Sequence, residues 1–217
     1  MNVKLISYTK SVTDNSSLLD IVAYCARVSN PENQNNTTTS EKLVRYLIKN
    51  NHWSPLEMVN ICIEIESTRD IIRQILRHRS FSFQEFSQRY AIVTETLNEP
   101  REARLQDKKN RQNSIVTTDE ELIDAWSKLQ QNVTNTATEA YKWALNNGIA
   151  KEQARIVLPE GLTISKIYMN GTVRSWCHYI HLRSGNGTQL EHRKIALACA
   201  EVIKTVFPMI TDFITTE

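Results

Sequence analysis

Residues 59–66 place an apolar side chain at every second position: Val59-Asn60-Ile61-Cys62-Ile63-Glu64-Ile65-Glu66. Successive side chains of a β-strand point to opposite faces of a sheet, so this spacing predicts a strand with one buried and one polar face. It is the clearest strand pattern in the chain. We expect the rest of the chain to supply its partner strands and its cover.

Apolar residues recur with helical spacing before this strand. We predict a short strand over residues 2–8 and then a helix over about 14–28, with its cap within residues 14–16. The pattern Thr38-x-x-Glu41 is typical of a capping box and predicts the start of a second helix.

Helices also dominate after the strand. A helix capped by Ser67 or Thr68 is expected first, and a long helix over residues 118–147 ends where Gly148 favours a left-handed cap. The apolar face predicted for the long helix comprises Leu122, Ala125, Trp126, Leu129, Val133, Ala137, Ala140, Tyr141 and Ala144. The remaining elements are expected as a helix over 151–158, a strand over 163–169 and helices over 173–182 and 188–206. Helices and few strands without regular β-α alternation indicate an α+β domain.

The composition fits one domain over residues 1–217 with a substantial core. The 26 lysines and arginines nearly balance the 24 aspartates and glutamates, so a net charge of +2 attracts neither nucleic acid nor an anionic membrane. No apolar run reaches signal or transmembrane length, and a cytoplasmic protein is expected. The four cysteines form no C-x-x-C pair, no metal site is predicted, and no glycine-rich phosphate loop occurs.

One segment concentrates polar chemistry: Arg77-His78-Arg79-Ser80-Phe81-Ser82-Phe83-Gln84-Glu85-Phe86-Ser87-Gln88-Arg89-Tyr90. Guanidinium groups bind phosphate and carboxylate oxygens in pairs, so clustered arginines indicate an anionic, oxygen-rich ligand. The interleaved aromatic residues can anchor the segment in a core or stack on a ring. Composition alone leaves a solvated charged surface as the alternative.

Other polar side chains stand at helical spacing. Gln74 and His78 lie four residues apart and share a helix face, as do Arg174 and His178. Arg155 has apolar neighbours in the sequence, where an arginine needs a partner or a ligand.

Two further segments allow less specific interpretations. The turn His52-Trp53-Ser54-Pro55-Leu56-Glu57 holds a histidine, a hydroxyl and a carboxylate, and it also fits a helix start with Ser54 as cap and Pro55 in the first turn. Residues 94–118 carry mixed charge and little apolar content, which predicts a solvated excursion.

Four motifs together resemble the flavin-dependent thymidylate synthases. Arg77-His78-Arg79, followed after seven residues by Ser87, matches the signature of that family. The other matches, in the same order along the chain, are His52-x-Ser54-Pro55-x-Glu57, the segment 154–159, and the segment from Asn170 to Arg183. The resemblance covers about residues 20–205.

The resemblance implies reductive methylation of dUMP to dTMP by a methyltransferase of de novo dTMP biosynthesis. The one-carbon unit would come from the folate 5,10-methylenetetrahydrofolate, and NADPH would supply reducing equivalents through FAD. The family fold is a central, mostly antiparallel sheet flanked by helices, one of them long, in a homotetramer whose active sites combine several chains. FAD binding in that family does not use a glycine fingerprint.

The resemblance also assigns site residues by position. Catalytic roles fall to Arg183, which would polarise the uracil, to His52 near the flavin, and to Ser87 in the signature. The dUMP ligands implied are Gln74, Arg77, Glu85, Ser87, Gln88, Arg89, Arg155 and Arg183. The FAD contacts implied are Ser54, Arg77, His78, Arg79, Glu85, Thr172, Arg174 and His178.

Two residues invite a nucleophile hypothesis. Ser87 would need an adjacent base, and Glu85 is the nearest carboxylate in its segment, so we favour a ligand role for Ser87. Cys177 stands beside His178, but none of the four cysteines has a recognisable nucleophile context, and a core residue is favoured.

Two alternatives to this enzyme remain at the level of sequence. A nucleic-acid-binding module could use Arg77, Arg79 and Arg89 with the neighbouring aromatics, although no basic stripe extends beyond this segment. A protein that binds dUMP or flavin without turnover would carry the same motifs.

Overall fold

The computed structural model describes residues 2–93 and 100–215. Its main sheet has four strands: β1 (Asn2–Tyr8), β2 (Asn60–Thr68), β3 (Ser82–Glu85) and β6 (Ile164–Thr172), in the order β1-β2-β6-β3. Every neighbouring pair is antiparallel, so the mixed α+β fold with an antiparallel sheet is confirmed.

The predicted strand at residues 59–66 is β2, and its apolar face forms the centre of the core. Ile61, Ile63 and Ile65 are fully buried, while the side chains between them remain partly exposed. The register runs from Asn60 opposite Thr172 to Thr68 opposite Ile164, so β2 pairs with β6 along its whole length.

Two helices near the end of the chain cover the buried face of the sheet. They are α6 (Val173–Arg183) and α7 (Leu190–Lys204), whose buried side chains join the same apolar cluster as β2 and β6. Trp176 on α6 is fully buried, and its indole N–H donates to the carbonyl of Ile61 at 3.0 Å. This bond satisfies a polar group that would otherwise be buried unpaired.

Three shorter helices complete the body of the domain. They are α1 (Leu18–Ala26), α2 (Ser40–Lys49) and α3 (Arg69–Ile75), with a 3-10 turn over Ser54–Glu57.

The predicted caps of the first two helices are wrong. Ser17 caps α1 through a reciprocal box with Asp20, in place of a residue within 14–16. Helix α2 begins after Thr39 without a side-chain cap, since the Thr38 hydroxyl donates to the Asn36 side chain at 2.7 Å.

Strand β3 lies inside the arginine-rich segment, where the sequence predicted no strand. It pairs with β6 at the edge of the sheet, Ser82 opposite Asn170 and Glu85 opposite Ile167. Just before it, the Phe81 ring lies over Gly171, where an added Cβ would stand only 2.4 Å from a ring carbon. This close approach brings the arginine-rich segment beside the start of α6.

The prediction for residues 94–118 is only partly right. Residues 94–99 lie outside the described residues, and the remainder forms a hairpin of β4 (Arg104–Gln106) and β5 (Ser114–Val116) with many exposed side chains. However, Arg101 binds both carboxylate oxygens of Asp70 at 2.8 Å, and Arg104 pairs with Glu191. Two arginines therefore attach this segment to α3 and α7.

The long helix α4 (Glu120–Asn146) exists as predicted, and Gly148 follows it with a φ of 77°. Its predicted apolar face is buried only in the second half, at Ala137, Tyr141 and Ala144. In the first half the apolar stripe is exposed, with Trp126 at 45% and Leu129 at 58% of full exposure. The exposed large members of this first-half stripe are Leu122, Trp126, Leu129 and Val133.

The remaining helix is α5 (Lys151–Ala154), which continues as a 3-10 turn to Val157. Within residues 2–93 and 100–215, no helix combines the length and the hydropathy that a membrane crossing needs.

Candidate functional site

An open cleft of about 560 Å³ lies along the exposed side of α6. Thr172 caps the start of this helix, and its hydroxyl accepts from the Ser175 backbone N–H at 3.2 Å. Arg174, His178 and His181 follow at helical spacing and line the cleft, so their position results from one face of α6.

The opposite wall of this cleft is aromatic. Trp53 and Phe213 lie 6.0 Å apart between ring centroids and both line the cavity. Arg174 forms an ion pair with Glu57, and the Ser175 hydroxyl donates to the Ser80 carbonyl at 3.2 Å. A planar aromatic group would fit between these walls with a guanidinium at one side.

Arg183 and His78 meet at the end of α6. The Nε of Arg183 donates to Nε2 of His78 at 2.9 Å. Burial, followed by the positive charges of Arg183 and His178, lowers the pKa of His78 to about 4. His78 is therefore neutral near pH 7 and accepts a hydrogen bond from the Arg183 Nε–H group, which fixes the guanidinium in place.

Gln74 and His192 lie beside this pair, on α3 and α7. Nδ1 of His192 is 3.3 Å from the Gln74 side-chain oxygen, and the Gln74 amide N–H donates to Gln189 at 2.7 Å. On the other side of the His192 ring, Nε2 is 3.1 Å from the Tyr179 hydroxyl. Tyr179 in turn packs edge-on against His78, with 5.0 Å between centroids.

Glu85 is held at the edge of the sheet. Its carboxylate accepts from Arg69 at 3.2 Å and from the Ser165 hydroxyl at 3.4 Å. In the following loop, Gln88 is buried, and its side-chain N–H group has no hydrogen-bond partner among the described residues. An unpaired buried donor of this kind is a position where a ligand oxygen would be stabilised.

Arg89 and Arg155 meet at another place, around Glu152. Arg89 lies 3.7 Å from the Glu152 carboxylate, and Arg155 donates to the Glu152 carbonyl at 3.3 Å. Among the described residues, no hydrogen bond or ion pair joins these two arginines to Arg183.

The turn before β2 carries His52 and Ser54 at exposed positions. Asn51 adopts a left-handed φ of 59° and His52 packs edge-on against Tyr46, 6.4 Å between centroids. The cap interpretation of Ser54 is wrong, because Trp53 occupies the cap position and Ser54 is the first residue of the turn.

The remaining residues of the signature are two arginines and a serine. Arg77 and Arg79 are exposed, and Ser87 is half-buried, with its carbonyl accepting from the Tyr90 and Ala91 backbone N–H groups. Cys177 is fully buried, and desolvation raises the pKa of its thiol, as expected of a core residue.

Sequence reasoning missed several residues that the structure brings to the site: Trp53, Tyr179, His181, Gln189, His192 and Phe213. His192 did leave a signal. It stands three and seven residues before the buried Ile195 and Cys199, so a histidine occupies a core position of α7. The aromatic wall left no signal in the sequence, because Trp53 and Phe213 lie far apart in the chain.

Comparison with known proteins identifies the family. The family model described as thymidylate synthase complementing protein matches residues 4–209. A probable flavin-dependent thymidylate synthase of Paramecium bursaria Chlorella virus 1 is 49% identical over 211 residues, 97% of each chain. This chain belongs to the flavin-dependent thymidylate synthase family. A second member of the flavin-dependent thymidylate synthases, from Synechocystis, is 47% identical and is also covered to 97%.

A solved structure agrees with this membership. The UMP/dUMP methylase PolB from Streptomyces cacaoi, crystallised with 5-Br dUMP, has a TM-score of 0.79 to this chain at 25% identity. The similarity covers 98% of this chain and 93% of PolB. The expected family and its fold are therefore both confirmed.

Proposed function

We propose that this flavin-dependent thymidylate synthase reductively methylates dUMP to dTMP. The observation that carries the proposal is Arg183 held by a neutral His78 at 2.9 Å, with Gln74 bound to the neighbouring His192. Carbon 5 of uracil is a weak nucleophile, and a fixed guanidinium at the pyrimidine stabilises the negative charge that activates it. Because His78 is uncharged, it orients Arg183 without neutralising it.

FAD is the cofactor implied by the family, and we place part of it in the cleft along α6, where two of its proposed contacts, Arg174 and His178, lie. The aromatic walls suit a planar ring system, and arginine with hydroxyl groups suits phosphate oxygens. The proposed contacts are Ser54, Arg77, His78, Arg79, Glu85, Thr172, Arg174 and His178. When bound, the flavin supplies hydride chemistry that no side chain can provide.

The nucleotide would bind beside Arg183. Gln74, Arg77, Glu85, Ser87 and Gln88 are its proposed ligands in that part of the site. Arg89 and Arg155 suit the phosphate, since both present guanidinium groups around Glu152. His52 is proposed to act near the flavin and Ser87 as a ligand.

A homotetramer with shared active sites is also part of this proposal. Leu122, Trp126, Leu129 and Val133 form an exposed apolar stripe on α4, and exposed Leu105 and Val116 lie on the hairpin. Contiguous apolar surface of this kind marks a protein interface. Assembly would also bring Arg89 and Arg155 of one chain to Arg183 of another.

NADPH and 5,10-methylenetetrahydrofolate are proposed as co-substrates, and a cytoplasmic location stays a prediction. The experiment is a visible spectrum of purified protein supplied with FAD, followed by anaerobic NADPH with and without dUMP. We expect a flavin spectrum that bleaches, and dTMP once methylenetetrahydrofolate is added. A protein that binds flavin and dUMP but forms no dTMP would support the alternative without turnover, and one that stays colourless would contradict the proposal.

Replacement of Arg183 tests the central residue. Arg183→Ala should lower kcat/KM for dUMP by about 100-fold or more, because a charge at the reacting ring is lost. Arg183→Lys keeps the charge but not the planar fork, and should recover only part of the loss. The control is Arg45→Ala, which removes a surface arginine paired with Glu41 and Asp212. Near-normal turnover of Arg183→Ala would contradict the assigned role.

A further inference from the structure

Five side chains form one continuous run of hydrogen bonds behind the proposed nucleotide site. It leads from the Tyr179 hydroxyl to His192 at 3.1 Å and from His192 to Gln74 at 3.3 Å. It continues from Gln74 to Gln189 at 2.7 Å and from Gln189 to Glu191 at 2.9 Å. The run thus connects α6, α3 and α7.

The donor direction of this run is determined at Glu191. Its carboxylate can only accept, so the amide N–H of Gln189 must point to it and the Gln189 oxygen must point to Gln74. That oxygen requires an N–H from Gln74, which leaves the Gln74 oxygen facing His192. Burial raises the pKa of Glu191, but hydrogen bonds from Gln189 and its own backbone, with Arg104 nearby, outweigh that effect and lower it.

The protonation state of His192 agrees with this direction of the hydrogen bonds. It is fully buried, and desolvation with the charges of Arg183 and His78 lowers its pKa to about 3, so it carries one ring proton near pH 7. That proton must lie on Nδ1, since the Gln74 oxygen only accepts. Nε2 is then an acceptor, and the Tyr179 hydroxyl donates to it.

We propose that His192 is a positioning residue for the nucleotide, which holds the Gln74 amide in a single orientation. Without His192, the Gln74 amide would be held only by its bond to Gln189, and its oxygen would lose the ring N–H that opposes rotation of the amide. With it, one amide N–H and one oxygen lone pair of Gln74 keep fixed places for dUMP. The inference rests on the proposed function, because it takes Gln74 as a dUMP ligand.

The test measures dUMP kinetics and flavin content of the FAD-loaded protein. His192→Leu removes both ring nitrogens and should raise KM for dUMP about tenfold, with kcat changed less than about threefold. His192→Gln retains a donor and an acceptor and should restore most of the affinity. Cys199→Ala, a buried change on the same helix, is the control and should leave KM for dUMP unchanged.

A second variant does not depend on a core substitution. Glu191→Gln introduces an amide that can donate, so the direction of the run is no longer imposed, and KM for dUMP should rise here too. An unchanged KM in both His192→Leu and Glu191→Gln would overturn the inference. The inference would also be overturned if His192→Leu lost bound flavin and kcat to the same extent and His192→Gln did not restore them. That result indicates a structural role. Wild-type protein that forms no dTMP would instead overturn the proposed function.

Discussion

At Gly171 the sheet is in close contact with the Phe81 ring of the arginine-rich segment. A Cβ built there would lie 2.4 Å and 2.6 Å from two carbons of the Phe81 ring. That ring cannot easily move, because it packs against Trp176 at 4.8 Å and Tyr179 at 6.0 Å between centroids. The glycine is therefore required by space rather than by backbone conformation.

Gly171→Ala should lower the free energy of unfolding by about 1–3 kcal/mol, the usual cost of overpacking a core. Urea denaturation measures it. Gly161→Ala is the matched control, because nothing lies within 4 Å of its added Cβ, and it should change stability by less than about 0.5 kcal/mol. Equal effects of the two variants would refute the steric explanation.

The burial of Cys177 leads to a second prediction about a single residue. The thiol is buried and its pKa is raised by desolvation, so the thiolate that a covalent mechanism needs is disfavoured. Cys177→Ala should keep at least about half of the methyl-transfer rate, measured as dTMP formed per bound flavin. Complete inactivation of a folded, flavin-loaded variant would restore the covalent-cysteine hypothesis.

Among the helices, α4 allows a test of the proposed homotetramer. Leu129→Glu places a charge in the exposed apolar stripe and should shift the tetramer toward smaller species, measured by sedimentation at fixed protein concentration. Gln131→Glu is the control, because Gln131 bonds Asn135 on the opposite, polar side of the helix. Identical mass for Leu129→Glu and wild type would exclude this stripe from the interface.

The elements also show what sequence could and could not predict. Strand β2 was predictable because its period of two is a local property, and α4 because its apolar spacing and Gly148 are local too. The burial of the α4 stripe was not, because helical spacing indicates which residues share a face but not what covers it. Strand β3 was missed because it is short, three of its four residues are polar and it pairs only with β6.

The candidate site, too, was only partly predictable from the sequence. The family resemblance supplied Arg183, His78 and Gln74; the structure pairs Arg183 with His78 and places Gln74 against the neighbouring His192. The roles assigned to these residues stay predictions, as do those of His52, Ser54 and the exposed arginines. The aromatic walls of the cleft and the partners of Gln74 depend on contacts between distant segments, which motif spacing does not encode.

At the scale of the whole molecule, two buried histidines make stability depend on pH. The pKa of His78 is lowered to about 4 and that of His192 to about 3, against 6.5 for an ordinary histidine. Between these values the unfolded chain binds more protons than the folded one, so protonation favours unfolding. The stability that the two neutral histidines contribute is therefore fully present above about pH 6.5 and is lost as the pH decreases toward 4.

We expect the free energy of unfolding to decrease between pH 6.5 and 5, by at most about 1.4 kcal/mol per pH unit for each histidine. His78 is partly exposed and should contribute less. Urea denaturation of wild type and His192→Gln, at one protein concentration, measures the difference in slope. Carboxylates with lowered pKa act at lower pH, so this window reports the histidines. Parallel curves for the two proteins would contradict the assignment to His192.

The pairing of β2 with β6 has a consequence for biosynthesis. Asn60 lies opposite Thr172, and the Thr215 backbone N–H donates to the Ser184 side chain at 2.8 Å, beside the cleft that Phe213 lines. On the ribosome, β2 therefore lacks its β6 partner until more than a hundred further residues have been translated. One edge of β2 stays unpaired throughout that interval, and the cleft acquires its last wall only when Phe213 has left the exit tunnel.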